Sequence, residues 1–309
     1  MSRNALQVST REATIGDVPV LRRLAARSFD LEPVGRAALV DLLFHRPPGD
    51  PSLRLVAEVD GSPVAFAFGS RHAQTGFLDA LAVDPAVRQR GVASTLLSTM
   101  EDRLTRAGSE RLSMGGNISH YAWPGVDLGY TAALCFAERH GYRRVSALQN
   151  MDVRLDRWVP GRAVEVLDRH ESASSVRRAT PGDWPRLEDF IQTGFTEVWT
   201  GEARLALHRD IPTIFIASRD ERITGFACHG VYRSDWFGPL GVDPDSRGQG
   251  LGEALLLLCL DDLAAAGVAL AQIAWIGPMA FYSRTVGARC GRVFAVLEKN
   301  PAQGPASSR

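Results

Sequence analysis

Two stretches of this chain have the composition of a phosphate cradle: Arg88, Gln89, Arg90, Gly91, Val92, Ala93 and, in the second half, Arg247, Gly248, Gln249, Gly250, Leu251, Gly252. Each follows Val-Asp-Pro and precedes a long apolar run, so a strand, a turn, a loop and a helix succeed one another twice. A helix start leaves its first amides unpaired and carries partial positive charge, and several N–H groups can therefore converge on a pyrophosphate. Glycine keeps side chains out of that approach, and the arginines add cationic charge at its rim. Asp84 and Asp243, between the valine and the proline, suit the capping of the turn better than catalysis. There is no Gly-Lys-Ser/Thr of a triphosphate loop and no Gly-x-Gly-x-x-Gly after an N-terminal strand.

The elements that hold these loops repeat as well. Ser9 to Asp17 parallels Ser175 to Asp183, with a Thr-x-x-Asp helix start in each. The first half predicts strands near 6–13, 53–59, 64–69, 77–84, 111–114 and 142–154. Helices are expected after Asp17, over 34–44, over 90–106 and over 131–140, and Asp60-Gly61 reads as a hairpin turn. The second half predicts strands at 213–219, 222–231, 236–243, 268–275 and 289–298, with helices at 250–266 and 279–286. The 309 residues accommodate two domains of about 150 residues each. The expected boundaries are 1–156 for the first domain, 157–174 for a polar connector containing Pro160-Gly161, 175–300 for the second domain and 301–309 for a flexible tail.

Composition narrows the partners. Lys plus Arg and Asp plus Glu are 35 each, which gives no basic excess for nucleic acid or an anionic membrane. Cys135, Cys228, Cys259 and Cys290 have neither disulfide-scaffold nor zinc spacing, so reduced thiols, a cytoplasmic setting and no metal are expected. No signal-type or membrane-spanning run is present. Two domains in one chain make a monomer sufficient.

The pattern Arg-x-x-Gly-x-(Gly/Ala), met by Arg88, Gly91, Ala93 and by Arg247, Gly250, Gly252, resembles the pyrophosphate motif of the GNAT superfamily of acyl-CoA N-acyltransferases. The resemblance covers about residues 5–299. It implies an α/β protein of two tandem GNAT folds, each a mixed, splayed β-sheet flanked by helices, with acetyl-CoA as cosubstrate and a small-molecule amine as acceptor. In that fold the motif strand diverges from its neighbour, and the backbone there, at Val83 and Val242, serves as an oxyanion hole. Many members carry a proton-donating Tyr in a pattern resembling Phe-Tyr-x-Lys-x-Gly-Phe. The second half has Phe281, Tyr282 and Gly287, whereas the first has Phe136 and Ala137 before Gly141. Alanine cannot donate a proton, so the second half is expected to be catalytic, with Tyr282 as general acid, and the first to bind acetyl-CoA unproductively or to serve as a structural partner.

For a general base the candidates are Glu197, Asp235 and His229, with Glu298 on the final strand and Asp79 in the first half. The acceptor pocket expected from the resemblance takes Phe195, Trp199, Trp236 and Trp275, aromatic surfaces able to stack on a sugar or organic ring. The loop from Gly115 to Gly129, with His120, Tyr121 and Trp123, is long enough to line a site. Among tandem members the chain resembles those acting on glucosamine or glucosaminides and, more distantly, mycothiol synthase. Acetylation of a protein amine, or acyl-CoA sensing without turnover, are the competing readings.

Overall fold

A computed structural model describes residues 6–32, 53–117, 123–170 and 174–301. The helix expected over 34–44 lies outside them, as do His120, Tyr121 and the tail beyond residue 301. In chain order the elements are β1 (Ser9–Glu12), α1 (Val18–Ser28), β2 (Leu53–Val59), β3 (Ser62–His72), β4 (Thr75–Val83), α2 (Val92–Arg106), β5 (Arg111–Met114), β6 (Val126–Asp127), α3 (Thr131–Arg139) and β7 (Arg143–Arg154). There follow α4 (Arg162–Arg169), β8 (Ser175–Arg178), α5 (Trp184–Gly194), α6 (Glu197–Leu207), β9 (Ile214–Arg219), β10 (Arg222–His229), β11 (Trp236–Val242), α7 (Leu251–Ala265), β12 (Leu270–Ile273), α8 (Met279–Val286) and β13 (Arg289–Lys299).

The chain divides into two compact units, Met1–Leu148 with Arg292–Arg309, and Gln149–Gly291. In unit 1 the strands run β1-β2-β3-β4-β5-β13, with β6 also on β13; in unit 2 they run β7-β12-β11-β10-β9-β8. The boundaries therefore depart from those expected at 156 and 175. Leu297 and Lys299 of the last strand pair with Met114 and Leu112 of unit 1, while Met151 and Arg154 pair with Ile273 and Leu270 of unit 2. Each sequence half gives the later part of its closing strand to the other unit, residues 149–154 of β7 to unit 2 and residues 292–299 of β13 to unit 1.

The repeated Thr-x-x-Asp segments fold alike. The carboxylates of Asp17 and Asp183 accept from the backbone N–H and hydroxyl of Thr14 and Thr180, and each is gripped by two nitrogens of an arginine, Arg11 or Arg177. Those arginines hold both carboxyls well below the usual carboxylate range. The expected turn at Asp60-Gly61 joins Val59 to Ser62, and φ values of 50° and 73° give it the left-handed geometry that suits the twist of paired strands.

Both faces of each sheet are covered, which is why the central strands read as almost continuous apolar runs. In unit 1, Ala65 and Ala67 meet Leu96, Leu97 and Met100 of α2, while Phe66 and Phe68 meet Leu21 and Leu24 of α1. In unit 2, Ala217 and Ala227 meet Leu255 and Cys259 of α7, while Ile216 and Phe226 meet Leu187 and Ala203 of α5 and α6. Over residues 254–260 helix α7 is apolar around its whole circumference and needs cover on its outer side too. The segment expected to be a connector supplies it: α4 packs Ala163 and Val166 on Ala254 and Leu257, and Trp158 donates to Asp261 at 2.7 Å.

Candidate active site

In each unit a parallel ladder opens partway along the motif strand. β11 pairs with β12 only at Trp236↔Gln272 and Phe237↔Ile273, yet continues to Val242. The Asp243 N–H donates to the Thr224 carbonyl at 2.9 Å, which places Asp243 and Gly241 in hydrogen-bonded pairs with β10. Alternation then turns the N–H groups of Val242 and Leu240 away from β10, toward the side that β12 has left. Sequence reasoning named Val242; the register adds Leu240, nearer the point of divergence. In unit 1 β4 pairs with β5 only over Thr75–Phe77, and the Asp84 N–H bond to Val64 turns Val83 outward in the same way. There the Val83 carbonyl accepts from Arg88 Nε at 3.1 Å and from the Ser28 hydroxyl at 3.2 Å.

The two loops share one backbone path. Gln89 and Gly248 both have left-handed φ, 60° and 79°, and Gly91 and Gly250 follow at 88° and 73°. Neither α2 nor α7 has a side-chain hydrogen bond at its N-cap, so the first amides are open to an anion. A Cβ added at Gly248 or Gly91 would meet nothing within 4 Å, whereas one at Gly250 would meet the His170 ring at 2.8 Å and Val166 at 3.0 Å. The Arg247 side chain is exposed and has no hydrogen-bond partner among the described residues, unlike that of Arg88. Gln249 accepts from Arg219 at 2.7 Å. In unit 1 a hollow of about 580 Å³ opens over Pro85, Ala86, Arg88, Gln89 and Arg90. Asp84 and Asp243 accept from the N–H groups of Ala86 and Asp245, the turn-capping expected of them. The open amides and vacant glycine faces fit a pyrophosphate in both loops.

Tyr282 sits where β11 leaves β12. Its ring meets Phe237, the last residue paired with β12, edge to face at 6.2 Å and 74°, and Phe281 at 5.0 Å. Burial pushes its phenol up to about 12, so it stays protonated at neutral pH. In unit 1 the Ala137 carbonyl accepts from Tyr142 as that of Tyr282 accepts from Ala288, and the core-facing residues of α3 are Leu134 and Ala137. No hydroxyl stands at that place.

The acceptor-side aromatics fall into separate groups. Phe195 stacks on Trp199 at 5.3 Å and 23°, and its ring lies over the motif strand, 2.6 Å from where a Cβ on Gly241 would be. Trp236, by contrast, is buried, donates to Gln272 Oε1 at 3.3 Å and lies beneath the Arg233 guanidinium. Trp275 is half-buried, with its backbone N–H on Asn150 Oδ1 at 3.1 Å. Phe195 and Trp199 thus come together, and Trp236 is part of the core rather than of a pocket wall.

Four of the five expected bases face a partner side chain, and the fifth is exposed. Both carboxylate oxygens of Asp235 are held by Arg233, at 3.0 and 2.7 Å, in a buried pair. Glu197 is an exposed first-turn residue of α6. His229 bonds Asp262 of α7 at 3.0 Å, on the sheet face away from α6. Glu298 lies 3.7 Å from Arg111, and Asp79 accepts from Asn117 at 2.7 Å. A carboxyl that sequence reasoning passed over, Glu202, is buried on α6.

In unit 1 the end of the sheet beyond α1 is filled by ion pairs. Arg292 on β13 bonds both oxygens of Glu32, at 3.0 and 2.7 Å, and reaches Asp127 at 2.6 Å; Trp123 donates to Glu32 at 2.8 Å. Glu32 is fully buried. Arg292→Leu should lower the unfolding free energy by about 3–5 kcal/mol, because it strands a buried carboxylate. Urea denaturation at pH 7 checks this, and a loss below about 1 kcal/mol would show that the pair is hydrated.

The splayed strand, the amide cradle and the buried phenol are those of an acyl-CoA transferase, and the comparisons with known proteins agree. The chain belongs to the Acetyltransferase (GNAT) family, which it matches over residues 20–122 and again over 175–287. It is an N-acetyltransferase of two tandem GNAT folds. A mycothiol acetyltransferase of Geodermatophilus obscurus is 28% identical over 263 residues, covering 79% of each chain, and that of Thermomonospora curvata is 28% identical over 82% of each. Among solved structures, the glucosamine N-acetyltransferase region of a fungal multi-domain β-N-acetylglucosaminidase superposes with a TM-score of 0.75 at 19% identity, over 95% of this chain and 38% of that one. A tandem GNAT protein from the clavulanic acid pathway gives 0.68 at 16% identity, over 95% and 98%. At these identities the structural likenesses establish the fold. No metal-holding cluster occurs among the described residues, and no described helix is long and apolar enough to cross a membrane.

Proposed function

We propose that unit 2 transfers an acetyl group from acetyl-CoA to a primary amine carried on an amino sugar or glucosaminide. The observation that carries this reading is the placement of Tyr282 against Phe237, where β11 opens, while Ala137 stands at its counterpart in unit 1. Acetyl-CoA supplies the activated acyl group as a thioester. The α7 amides, Gly248 and Arg247 would hold its pyrophosphate, and the N–H groups of Leu240 and Val242 would stabilise the carbonyl oxygen as it gains charge. Tyr282 would give its proton to the departing sulfur. The stacked Phe195 and Trp199 offer an aromatic face over the motif strand for a ring-bearing acceptor.

Unit 1 keeps an open amide cradle, yet Arg88 and Ser28 occupy the Val83 carbonyl, and the described residues of α3 place Ala137, not a phenol, at the counterpart of Tyr282. That supports a binding or structural role for it. A second acceptor, the cysteinyl amine of a cysteinyl-glucosaminyl-inositol, is favoured by the mycothiol acetyltransferase names of the curated relatives. The test is thiol release from acetyl-CoA across glucosamine, glucosaminides, cysteinyl-glucosaminyl-inositol, aminoglycosides, polyamines and peptides. Turnover confined to the glucosaminyl amines is expected; turnover only with peptides, or with none despite tight acetyl-CoA binding, would overturn the reading.

A further inference from the structure

Helix α6 packs on α5, β9, β10 and β11, and its inward face carries Thr200, Ala203, Ala206, Leu207 and one carboxylate, Glu202. A charged residue in that phase of a helix is unusual. Glu202 is 5% exposed, and among the described residues no donor bonds its carboxyl. Burial alone pushes the carboxyl up to about 8.

Its position is fixed by neighbours at the divergent strand. Glu202 lies one turn beyond Trp199, on the same helix face, and the Trp199 ring stacks on Phe195 above Gly241. It is near enough to the Cys228 thiol for their charges to interact. Cys228 occupies the register break of β10: Ala227 pairs with Leu240 and His229 with Phe237, so Cys228 stands opposite Gly238 and Pro239. That is the stretch between the last residue paired with β12 and the outward-facing Leu240 N–H, a span of roughly 7–10 Å along the strand.

We propose that Glu202 is the catalytic base that takes a proton from the ammonium group of the acceptor, an assignment that rests on the transferase reading above. The carboxylate removes one proton from R–NH3+, the freed lone pair forms the N–C bond and the C–S bond breaks. Tyr282 protonates the sulfur and is reprotonated by the second proton that leaves nitrogen. Glu202 releases its own proton to solvent, so amide, free thiol and one H+ are the net products. A base must be charged when the cationic amine arrives and must also hold the proton once it is taken; a carboxyl poised near working pH does both.

The ionisable groups on the elements packed against α6 have partners of their own or face solvent. Arg186 pairs with Glu221, Arg204 with Glu188, Arg222 with Asp243, Arg219 with Gln249 and His229 with Asp262; Asp189 is exposed, and β11 carries none. Among these described groups the Cys228 thiol is the one whose charge interacts with that of Glu202, and burial raises the thiol well above the ordinary value, so it is neutral in the working range.

The experiment compares the full chain with Glu202→Gln over pH 5–10, using two acceptors whose amine pKa values differ by at least about a unit. In the parent, log(kcat/KM) should rise to a break near 8 that stays in place when the acceptor changes, while the break due to the amine moves. Glu202→Gln should lose the fixed break and fall on the order of 10²-fold in kcat/KM, with the KM for acetyl-CoA unchanged. A variant that keeps both rate and break overturns the assignment. Thermal unfolding reads the carboxyl without turnover. A raised folded pKa makes Glu202 a stability contribution that is present at low pH and lost as pH climbs to about 8. The variant should therefore gain Tm over the parent progressively from about pH 5 to 8, and a pH-independent difference overturns the proposal even if no acceptor is found. Absence of any acceptor alongside a widening Tm gap refutes the transferase reading and leaves the poised carboxyl standing.

Discussion

Tyr282→Phe should bind acetyl-CoA and acceptor as the parent does and turn over more slowly by a factor on the order of 10² to 10⁴. The substitution keeps the ring that meets Phe237 and Phe281 edge-on, so packing is held constant while the proton is removed. Burial makes this phenol a weaker acid than an ordinary thiol, and the proton therefore moves as negative charge develops on sulfur rather than in advance of it. The pH profile follows with a definite sign. The acid form is needed, and with its pKa pushed up to about 12 it is depleted only near that value, so Tyr282 should produce no descending limb between about pH 7 and 10. Parent-like turnover at saturating acceptor in Tyr282→Phe would make the residue a packing aromatic and remove the main reason for placing chemistry in unit 2. A steep alkaline loss near pH 9 in the parent, absent from the variant, would instead mean that the phenol is far more acidic than its burial implies.

Much of this was legible because duplication writes each device twice. Asp17 and Asp183 build the same capped turn, and Gln89 and Gly248 take the same left-handed path, so agreement between the halves separated motif from coincidence. Strand exchange was not legible. The continuous apolar run of β13 specifies a two-sided buried strand but not whose sheet it closes, since Leu297 fits beside Met114 by the same apolar rule that would fit it beside Ile273. Helix α4 was read as a connector because its outer face is polar; its purpose follows from the all-round apolarity of α7, a property of a different segment. The base was missed for a related reason. Asp235 and Glu197 lie near the elements that the resemblance assigns to the acceptor site, but Asp235 is paired with an arginine and Glu197 is exposed at a helix start. The signal that pointed to Glu202 was a charge in the apolar phase of α6, one turn after Trp199.

Gly248→Asp should abolish measurable acetyl-CoA binding by unit 2, whereas Gly248→Gln should retain much of it. The pair is informative because unit 1 already carries Gln89 at this place, with φ of 60°, which demonstrates that a side chain can follow the left-handed path. Asp tolerates that region too, and an added Cβ meets nothing within 4 Å, so neither variant disturbs packing. Gly250→Asp would be a poorer test, since its Cβ drives into His170 and Val166 and confounds lost binding with a displaced α4. What separates Asp from Gln is charge: a carboxylate about 5 Å from a doubly charged pyrophosphate is disfavoured by about 1–3 kcal/mol per phosphate charge at surface-like dielectric, or roughly 30-fold and upward in affinity. Raising ionic strength should narrow the gap between Asp and Gln, because the repulsion is screened within about 8 Å at 0.15 M salt. Gly91→Asp, its counterpart in unit 1, should leave most of the turnover intact. Calorimetric titration of acetyl-CoA checks the affinities and thiol release checks the turnover. Unchanged affinity in folded Gly248→Asp would show that the α7 cradle holds no pyrophosphate, and loss of nearly all activity in folded Gly91→Asp would move the chemistry to unit 1.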